Sequence, residues 1–169
     1  MEKDAGIKKI TLKEYVIQSV FKFVGVILIT CIIFNFVLGI SILHGNYMFP
    51  AVRDGDLCIT YRLEKYIIGD VVLYNADGRE RVGRIVAVEG QTVEVTDNGE
   101  LLVDGVSPAE QIFYPTGKGT LTYPCTVGNG QVFILNDFRS VTEDSREFGP
   151  IDIKDLDGKF IFLVRKRGF

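Results

Sequence analysis

The feature that most constrains this chain is an apolar run from Phe23 to Leu43, which contains no charged residue. A helix rises about 1.5 Å per residue, so a run of this length can cross a hydrocarbon core of about 30 Å. A cleavable secretory signal is the alternative, but its apolar part spans about 7 to 15 residues and ends in small residues of an A-x-A pattern. The sequence SILHGN at the end of the run lacks that pattern. We therefore predict one retained transmembrane helix.

Basic residues are concentrated on the N-terminal side of this run. Five lysines precede it and two arginines follow nearby: Lys3, Lys8, Lys9, Lys13 and Lys22 against Arg53 and Arg62. The positive-inside rule then places the N-terminus in the cytoplasm. We predict a cytoplasmic segment over residues 1–22, a transmembrane helix over residues 23–43 and an extracellular domain over residues 44–169. The protein is thus expected to be a single-pass protein of the cell membrane.

The part of the chain after His44 has the pattern of a β domain. Short segments rich in Val, Ile, Leu, Tyr and Phe alternate with turn pairs such as Asp77-Gly78 and Asn98-Gly99. Seven segments read as strands: LCITYRL, DVVLYNA, RVGRIVAV, TVEVTDN, ELLVDG, QVFILN and KFIFLVRK. The length fits one domain with no internal repeat. The predicted class is mainly β, antiparallel and barrel-like, with one N-terminal transmembrane helix.

Four segments of this domain form an ordered series of motifs. They read GNYMFPAVRDGD, IIGDVVLY, RVGRIVAVEGQTVEV and LNDFRSVTEDSREFGPI, starting at Gly45, Ile67, Arg81 and Leu135. The series resembles the type I signal peptidases, membrane-anchored serine endopeptidases with a Ser nucleophile and a Lys general base. The departures within the last motif are Asn136 and Phe138, where the family usually has Gly and Asn. The resemblance implies the β domain of that family, including its Asn98-Gly99 hairpin.

Both catalytic positions of the resemblance are altered. Tyr47 stands where the family has its serine, and Gly83 stands where it has its lysine. A Ser/Lys mechanism needs a hydroxyl beside the scissile carbonyl and a neutral amine that accepts its proton. A phenol on a rigid ring does not reproduce the geometry of a serine Oγ, and glycine has no side chain. No catalytic residue is therefore predicted, and Tyr47 is proposed to fill the space above Gly83, with a ring turned to solvent or lipid as the alternative.

The other motif residues receive structural or binding roles from the resemblance. A peptide-binding groove is expected to be lined by Met48, Phe49 and Pro50. A structural brace beneath the site is expected from Asp137, Arg139, Thr142, Asp144, Ser145 and Arg146. His44 is read as a residue at the end of the membrane span, and Ser145 is given a structural place rather than that of a nucleophile. Cys58 and Cys125 allow either a disulfide or free thiols.

Among relatives that lack Ser and Lys, the sequence is most similar to the signal-peptidase-like pilus-assembly proteins of Gram-positive cocci. That resemblance implies a non-catalytic chaperone or scaffold with a pilin polypeptide and a sortase as partners. An active signal peptidase with an atypical residue and a structural membrane component that binds no peptide are the alternatives. The formal net charge of −3 and the absence of a basic face exclude a nucleic-acid role. No cofactor, metal or small-molecule substrate is expected, since no Cys/His spacing fits a metal site.

Overall fold

The computed structural model describes residues 11–109, 112 and 115–165. Lys3, Lys8 and Lys9, which contribute to the predicted orientation, lie outside the described residues. The described part consists of an N-terminal helix followed by a β domain with two sheets.

Helix α1 (Leu12–Ile32) begins at a capping box. The Thr11 side chain accepts a hydrogen bond from the Glu14 backbone N–H, and the Glu14 carboxylate accepts one from the Thr11 N–H. Two of the N–H groups that a helix start leaves unpaired are thereby satisfied. The helix continues as a π-helical turn, Ile33–Val37, and Leu12–Val37 is long and apolar enough to cross a membrane. It is therefore a candidate membrane anchor.

The predicted transmembrane helix is too long at its C-terminal end. It was expected to reach Leu43, but the helical part stops at Val37 and strand β1 (Leu38–Ile42) follows. The end is held by Arg62, whose backbone N–H donates to Val37 O at 3.0 Å and whose guanidinium donates to Asn35 O at 2.8 Å. Arg62 Nη2 donates to both carboxylate oxygens of Asp157, at 2.9 and 3.1 Å, and this ion pair fixes the guanidinium. The apolar run therefore leaves the helix early to form an edge strand.

In its described residues, the β domain contains nine further strands and one short helix. The strands are β2 (Leu57–Tyr61), β3 (Val71–Ala76), β4 (Arg79–Val88), β5 (Thr92–Val95), β6 (Leu101–Val103), β7 (Cys125–Thr126), β8 (Gln131–Leu135), β9 (Ile151–Asp152) and β10 (Leu156–Val164). Helix α2 (Ser145–Phe148) and a 3₁₀ turn (Ile153–Asp155) lie after β8. The larger sheet has the order β1-β2-β10-β3-β4-β8-β9, and the smaller has the order β6-β5-β7.

All the ladders described are antiparallel, as predicted. Strands β3 and β4 are joined by Asp77 and Gly78, with φ of 53° and 68°. A two-residue turn with both φ values positive matches the right-handed twist of the strands it connects. Strands β5 and β6 pair Val93 with Val103, which confirms the predicted hairpin at Asn98-Gly99. The mainly β class with one N-terminal apolar helix is thereby confirmed, although the larger sheet stays open in the described residues.

Three buried clusters form the core. One lies between the two sheets around Phe133 and Leu135, and a second lies around Tyr74 and Ile134. The third contains Met48, together with Leu43, Val52, Cys58, Leu73 and Val82. Cys58 and Cys125 are both free thiols, so they form no disulfide with each other. The third cluster matters most for function because it anchors the loop that carries Tyr47.

Candidate functional site

Tyr47, Met48, Phe49 and Pro50 lie in the loop that joins β1 to β2. The base of the loop is closed by two backbone hydrogen bonds, from Leu43 N to Asp56 O and from Gly55 N to Leu43 O, both 2.8 Å long. Met48 is buried in the third core cluster with 1% of its surface exposed. The loop therefore has a fixed backbone at the position where the family resemblance places the nucleophile.

The segment that follows β8 packs against this loop. Phe138 N donates to Tyr47 O at 3.0 Å, and Asp137 N lies 3.3 Å from the Met48 sulfur. The rings of Phe49 and Phe138 meet edge to face, with their centres 6.1 Å apart. These contacts bring together the first and last motifs of the sequence.

The hydroxyl of Tyr47 belongs to a cluster of three polar side chains, Tyr47, Arg81 and Glu143, which we call the polar cluster. Arg81 Nη1 donates to Glu143 Oε2 at 2.7 Å, and the Tyr47 hydroxyl lies 3.5 Å from the same oxygen. The Arg81 side chain is 5% exposed, whereas the Glu143 side chain is 47% exposed. The hydrogen bond from Arg81 lowers the pKa of Glu143 below its ordinary value. Glu143 is thus an anionic partner at the surface end of a buried cation.

Arg81 is held in place by aromatic rings. Its guanidinium carbon lies 4.7 Å from the centre of the Phe148 ring and 6.0 Å from the centre of the Tyr47 ring. Both distances are within the range of cation–π attraction. The Arg81 guanidinium therefore has a defined position beside Tyr47.

Gly83 lies two residues further along β4 and so shares a face with Arg81, since side chains alternate along a strand. A Cβ atom at Gly83 would lie 2.5 Å from Ile134 Cγ2, 3.2 Å from Leu135 O and 3.4 Å from Tyr74 Cε1. The space beside Gly83 is therefore taken up by the second core cluster. This does not support the proposal that Tyr47 fills that space, because the Tyr47 ring is not among the three nearest neighbours and folds back over Gly45.

Asp144 and Arg146 form an ion pair in the interior. Their side chains are 0% exposed, and Arg146 Nη2 and Nε donate to Asp144 at 2.6 and 2.8 Å. Asp144 also accepts from the backbone N–H of Asn136 at 2.9 Å, and Arg146 donates to Arg139 O at 2.8 Å. These hydrogen bonds connect the ion pair, which follows Glu143 in the sequence, to Asn136 and Arg139, which precede it.

The remaining predicted brace residues lie around this ion pair. Ser145 is fully buried, and its Oγ accepts from Ile134 N at 2.9 Å, so the hydroxyl serves a structural contact. Arg139 is buried and donates to Thr116 Oγ1 at 3.2 Å. Thr142 donates to Glu147. Asp137 accepts two hydrogen bonds from Arg84, of 2.8 and 2.6 Å, and these connect the segment to β4.

A groove with a volume of about 910 Å³ runs beside the Tyr47 loop. We call it the Met48 groove. Its lining consists of Met48, Phe49, Pro50, Ala51, Ile68, Gly69, Arg84, Ile85, Val86, Pro108, Ala109, Ile112 and Asp137. The lining is mostly apolar, with the Arg84–Asp137 ion pair as its charged element. All three residues predicted to line a groove do so, and whether peptide binds there stays a prediction.

Among the described residues, the groups beside Tyr47 differ from those that a Ser/Lys mechanism requires. The Tyr47 hydroxyl faces a carboxylate and a guanidinium, neither of which is the neutral amine that such a mechanism uses. Three lysines of the domain pair with other carboxylates: Lys118 with Asp97, Lys154 with Asp152 and Lys159 with Asp70. His44, the single histidine of the sequence, is exposed.

Two residues of the site were missed at the sequence level, Arg81 and Glu143. One signal could have found Arg81, because strand alternation places its side chain on the same face as Gly83. Glu143 gave a weaker signal, as it is an ordinary acidic residue beside Asp144. Its role depends on the folded path of the segment after β8.

Comparison with known proteins identifies the family. Residues 16–165 match the family described as "Signal peptidase, peptidase S26". The match covers most of the chain, so the protein belongs to the signal peptidase S26 family.

Several relatives are signal peptidases by name. The chain is 30% identical to signal peptidase I of Bacillus caldolyticus, over 75% of this chain and 79% of that protein. It is 26% identical to signal peptidase I S of Bacillus subtilis, over 92% of this chain and 93% of that protein. A probable thylakoidal processing peptidase 2 of Arabidopsis thaliana is 33% identical over 68% of this chain. The chain spans about a third of that plant protein, since the match covers 35% of its length.

One solved structure supports the fold. The crystal structure of a signal peptidase I from Enterococcus faecalis matches with a TM-score of 0.50 and 24% sequence identity. The match covers 58% of this chain and 98% of that chain. At this level of identity the similarity concerns the fold, and the catalytic state must be argued from the site itself.

Proposed function

We propose that the protein is a non-catalytic member of the signal peptidase family that holds a polypeptide without cleaving it. The observation that carries this proposal is the state of the two catalytic positions. Tyr47 lies against Arg81 and Glu143, and Gly83 faces the core residues Ile134 and Tyr74. Among the described contacts of the Tyr47 side chain there are a carboxylate and a guanidinium, and not the neutral amine that a Ser/Lys mechanism uses.

The Met48 groove is the surface that we assign to polypeptide binding. Phe49 is 44% exposed on its rim, and the fully buried Met48 fixes its floor. Extended peptides commonly bind beside sheets, where backbone hydrogen bonds supply affinity and shallow apolar pockets supply selectivity. An apolar stretch of polypeptide is the ligand that such a lining favours.

The proposed process is pilus assembly at the outer face of the membrane. The supporting argument is the resemblance to pilus-assembly proteins of Gram-positive cocci that also lack Ser and Lys. In this proposal, helix α1 anchors the domain with its N-terminus in the cytoplasm. The domain then presents a pilin polypeptide to a sortase as a chaperone or scaffold.

A cleavage assay tests the loss of catalysis. The full chain in detergent micelles is incubated with a signal-peptide substrate, with an active signal peptidase I as the positive control. We expect no cleavage above the rate without protein. Cleavage that is abolished by Tyr47→Phe would establish the alternative, an active peptidase that uses an atypical residue.

A crosslinking experiment separates a peptide-holding scaffold from a structural component. A photoreactive amino acid is placed at Phe49 in cells that make pilin, and at Leu63, which is more exposed and lies outside the Met48 groove, as the control. We expect pilin adducts at Phe49 and a clearly lower yield at Leu63. Equal yields at the two positions would favour a structural component that does not bind peptide.

A further inference from the structure

The guanidinium of Arg81 has the properties of an anion-binding group. Its side chain is 95% buried, and two aromatic rings hold it in place. A planar guanidinium binds a carboxylate best through two parallel hydrogen bonds. The described structure gives one such bond, from Nη1 to Glu143 Oε2 at 2.7 Å.

Buried donors around Arg81 are incompletely satisfied. Arg81 Nε lies in the interior and has no hydrogen-bond partner among the described residues. The hydroxyl of Tyr74, a fully buried side chain against Gly83, likewise lacks a partner in that part of the chain. A buried donor without a partner destabilises the fold, so a ligand that supplies an acceptor is favoured here.

Glu143 is the side chain that a ligand can replace. It is 47% exposed and comes from the segment between β8 and α2, whereas Arg81 is fixed in the middle of the larger sheet. Its second contact, with the Tyr47 hydroxyl, is long at 3.5 Å. Rotation of Glu143 into solvent would therefore break one short hydrogen bond and expose the guanidinium.

We propose that the polar cluster is a carboxylate-binding site, in which a carboxylate of a bound polypeptide replaces Glu143 on Arg81. The inference rests on the proposed function, because the polypeptide would approach along the Met48 groove. Tyr47 adjoins Met48 in the loop that joins β1 to β2, so one short segment carries a residue of the cluster and a residue of the groove lining. The carboxylate comes either from the C-terminus of the polypeptide or from an acidic side chain.

Peptide binding to the full chain in detergent micelles tests the proposal. The probe is one apolar peptide in four forms, arranged as two pairs. The first pair ends in a carboxylate or in an amide, and the second pair ends in an amide and carries an internal Glu or Gln. We expect a carboxylate form to bind about 5–20-fold tighter than its neutral counterpart, since charge-assisted hydrogen bonds contribute more than neutral ones. The form that shows the gain identifies the source of the carboxylate.

Three variants assign the gain to the cluster. Arg81→Gln should abolish the difference between charged and neutral peptides. Lys154→Gln, which removes an exposed cation of another segment, should preserve it. Glu143→Gln should tighten binding of the carboxylate form several-fold, because the internal competitor loses its charge. If Arg81→Gln does not fold, the Glu143→Gln result alone decides.

The outcomes separate this inference from the proposed function. Equal affinity for charged and neutral peptides in the wild-type chain overturns the carboxylate site and leaves peptide holding intact. A gain that survives Arg81→Gln, or no effect of Glu143→Gln, also overturns it. Failure of all four peptides to bind instead contradicts the proposed function itself.

Discussion

Replacement of Gly83 by alanine tests how the structure packs around the position at which the family resemblance places the lysine. The new Cβ would lie 2.5 Å from Ile134 Cγ2, about 1 Å closer than the ordinary separation of two carbon atoms. Overpacking of this kind costs about 1–3 kcal/mol. Alanine recovers about 0.5–1 kcal/mol relative to glycine in a strand. We expect Gly83→Ala to lower the free energy of unfolding by about 0.5–2 kcal/mol.

The measurement is chemical denaturation of the full chain in micelles. Unfolding is monitored by circular dichroism, because the sequence contains no tryptophan to serve as a fluorescent reporter. Gly117→Ala is the matched control, since a Cβ there would meet Thr142 Cγ2 at an ordinary 3.9 Å. That control should be neutral or slightly stabilising. The reasoning is refuted if Gly83→Ala unfolds at the same denaturant concentration as the wild-type chain.

A double variant locates the clash. Ile134→Ala alone should cost about 2–5 kcal/mol, because it leaves a cavity in the second core cluster. With Gly83→Ala also present, the added methyl group no longer meets Ile134 Cγ2. The combined loss should be at least about 1 kcal/mol smaller than the sum of the two single losses. If the two losses are simply additive, the methyl group added at residue 83 clashes with a group other than Ile134.

Three further predictions follow from buried and strained positions. Arg146→Met should destabilise the fold by about 3–5 kcal/mol in a denaturant titration, because Asp144 keeps a buried charge without its partner; adding Asp144→Asn should recover part of the loss. Burial raises the pKa of the Cys58 thiol to about 11, so native Cys58 should resist alkylation that the unfolded chain undergoes at pH 8 to 9. The thiol then contributes stability below pH 9 that falls as the pH rises towards 11, which pH-dependent unfolding would reveal. Gly78→Ala should cost about 1 kcal/mol in a thermal melt, because φ at that residue is 68°.

The strands were largely predictable because their physical signals are local. Seven segments combine β-branched and aromatic residues with turn pairs, and each overlaps a strand of the structure, although β4 and β10 begin two and three residues before their segments. Strand β1 was missed because LGISI is equally compatible with a helix, and short apolar runs do not separate the two by periodicity. Its pairing with β2 decides the conformation, through partners such as Ile40 and Ile59. Strands β7 and β9 have two residues each and carry no periodic pattern.

The site was predictable only where the family resemblance names a residue. Met48 to Pro50 line the Met48 groove, and the ion pair of Asp144 and Arg146 is buried. Arg81 and Glu143 have no named counterpart, and they meet across 62 residues of sequence. Contacts of that separation depend on the register of β4 and on the path after β8. Neither is contained in any local pattern.

The polar cluster gives a physical reason why the lysine position is glycine in this chain. A lysine at residue 83 would lie on the same face of β4 as Arg81, so its protonated form would add a second cation to one partly buried site. Glu143 supplies one negative charge, and an uncompensated buried charge destabilises a fold by several kcal/mol. Glycine avoids that second charge, and the volume is filled by Ile134 and Tyr74. Restoring catalysis should therefore require changes at Arg81 and Ile134 in addition to Tyr47→Ser and Gly83→Lys, and cleavage by the Tyr47→Ser, Gly83→Lys variant alone would contradict this account.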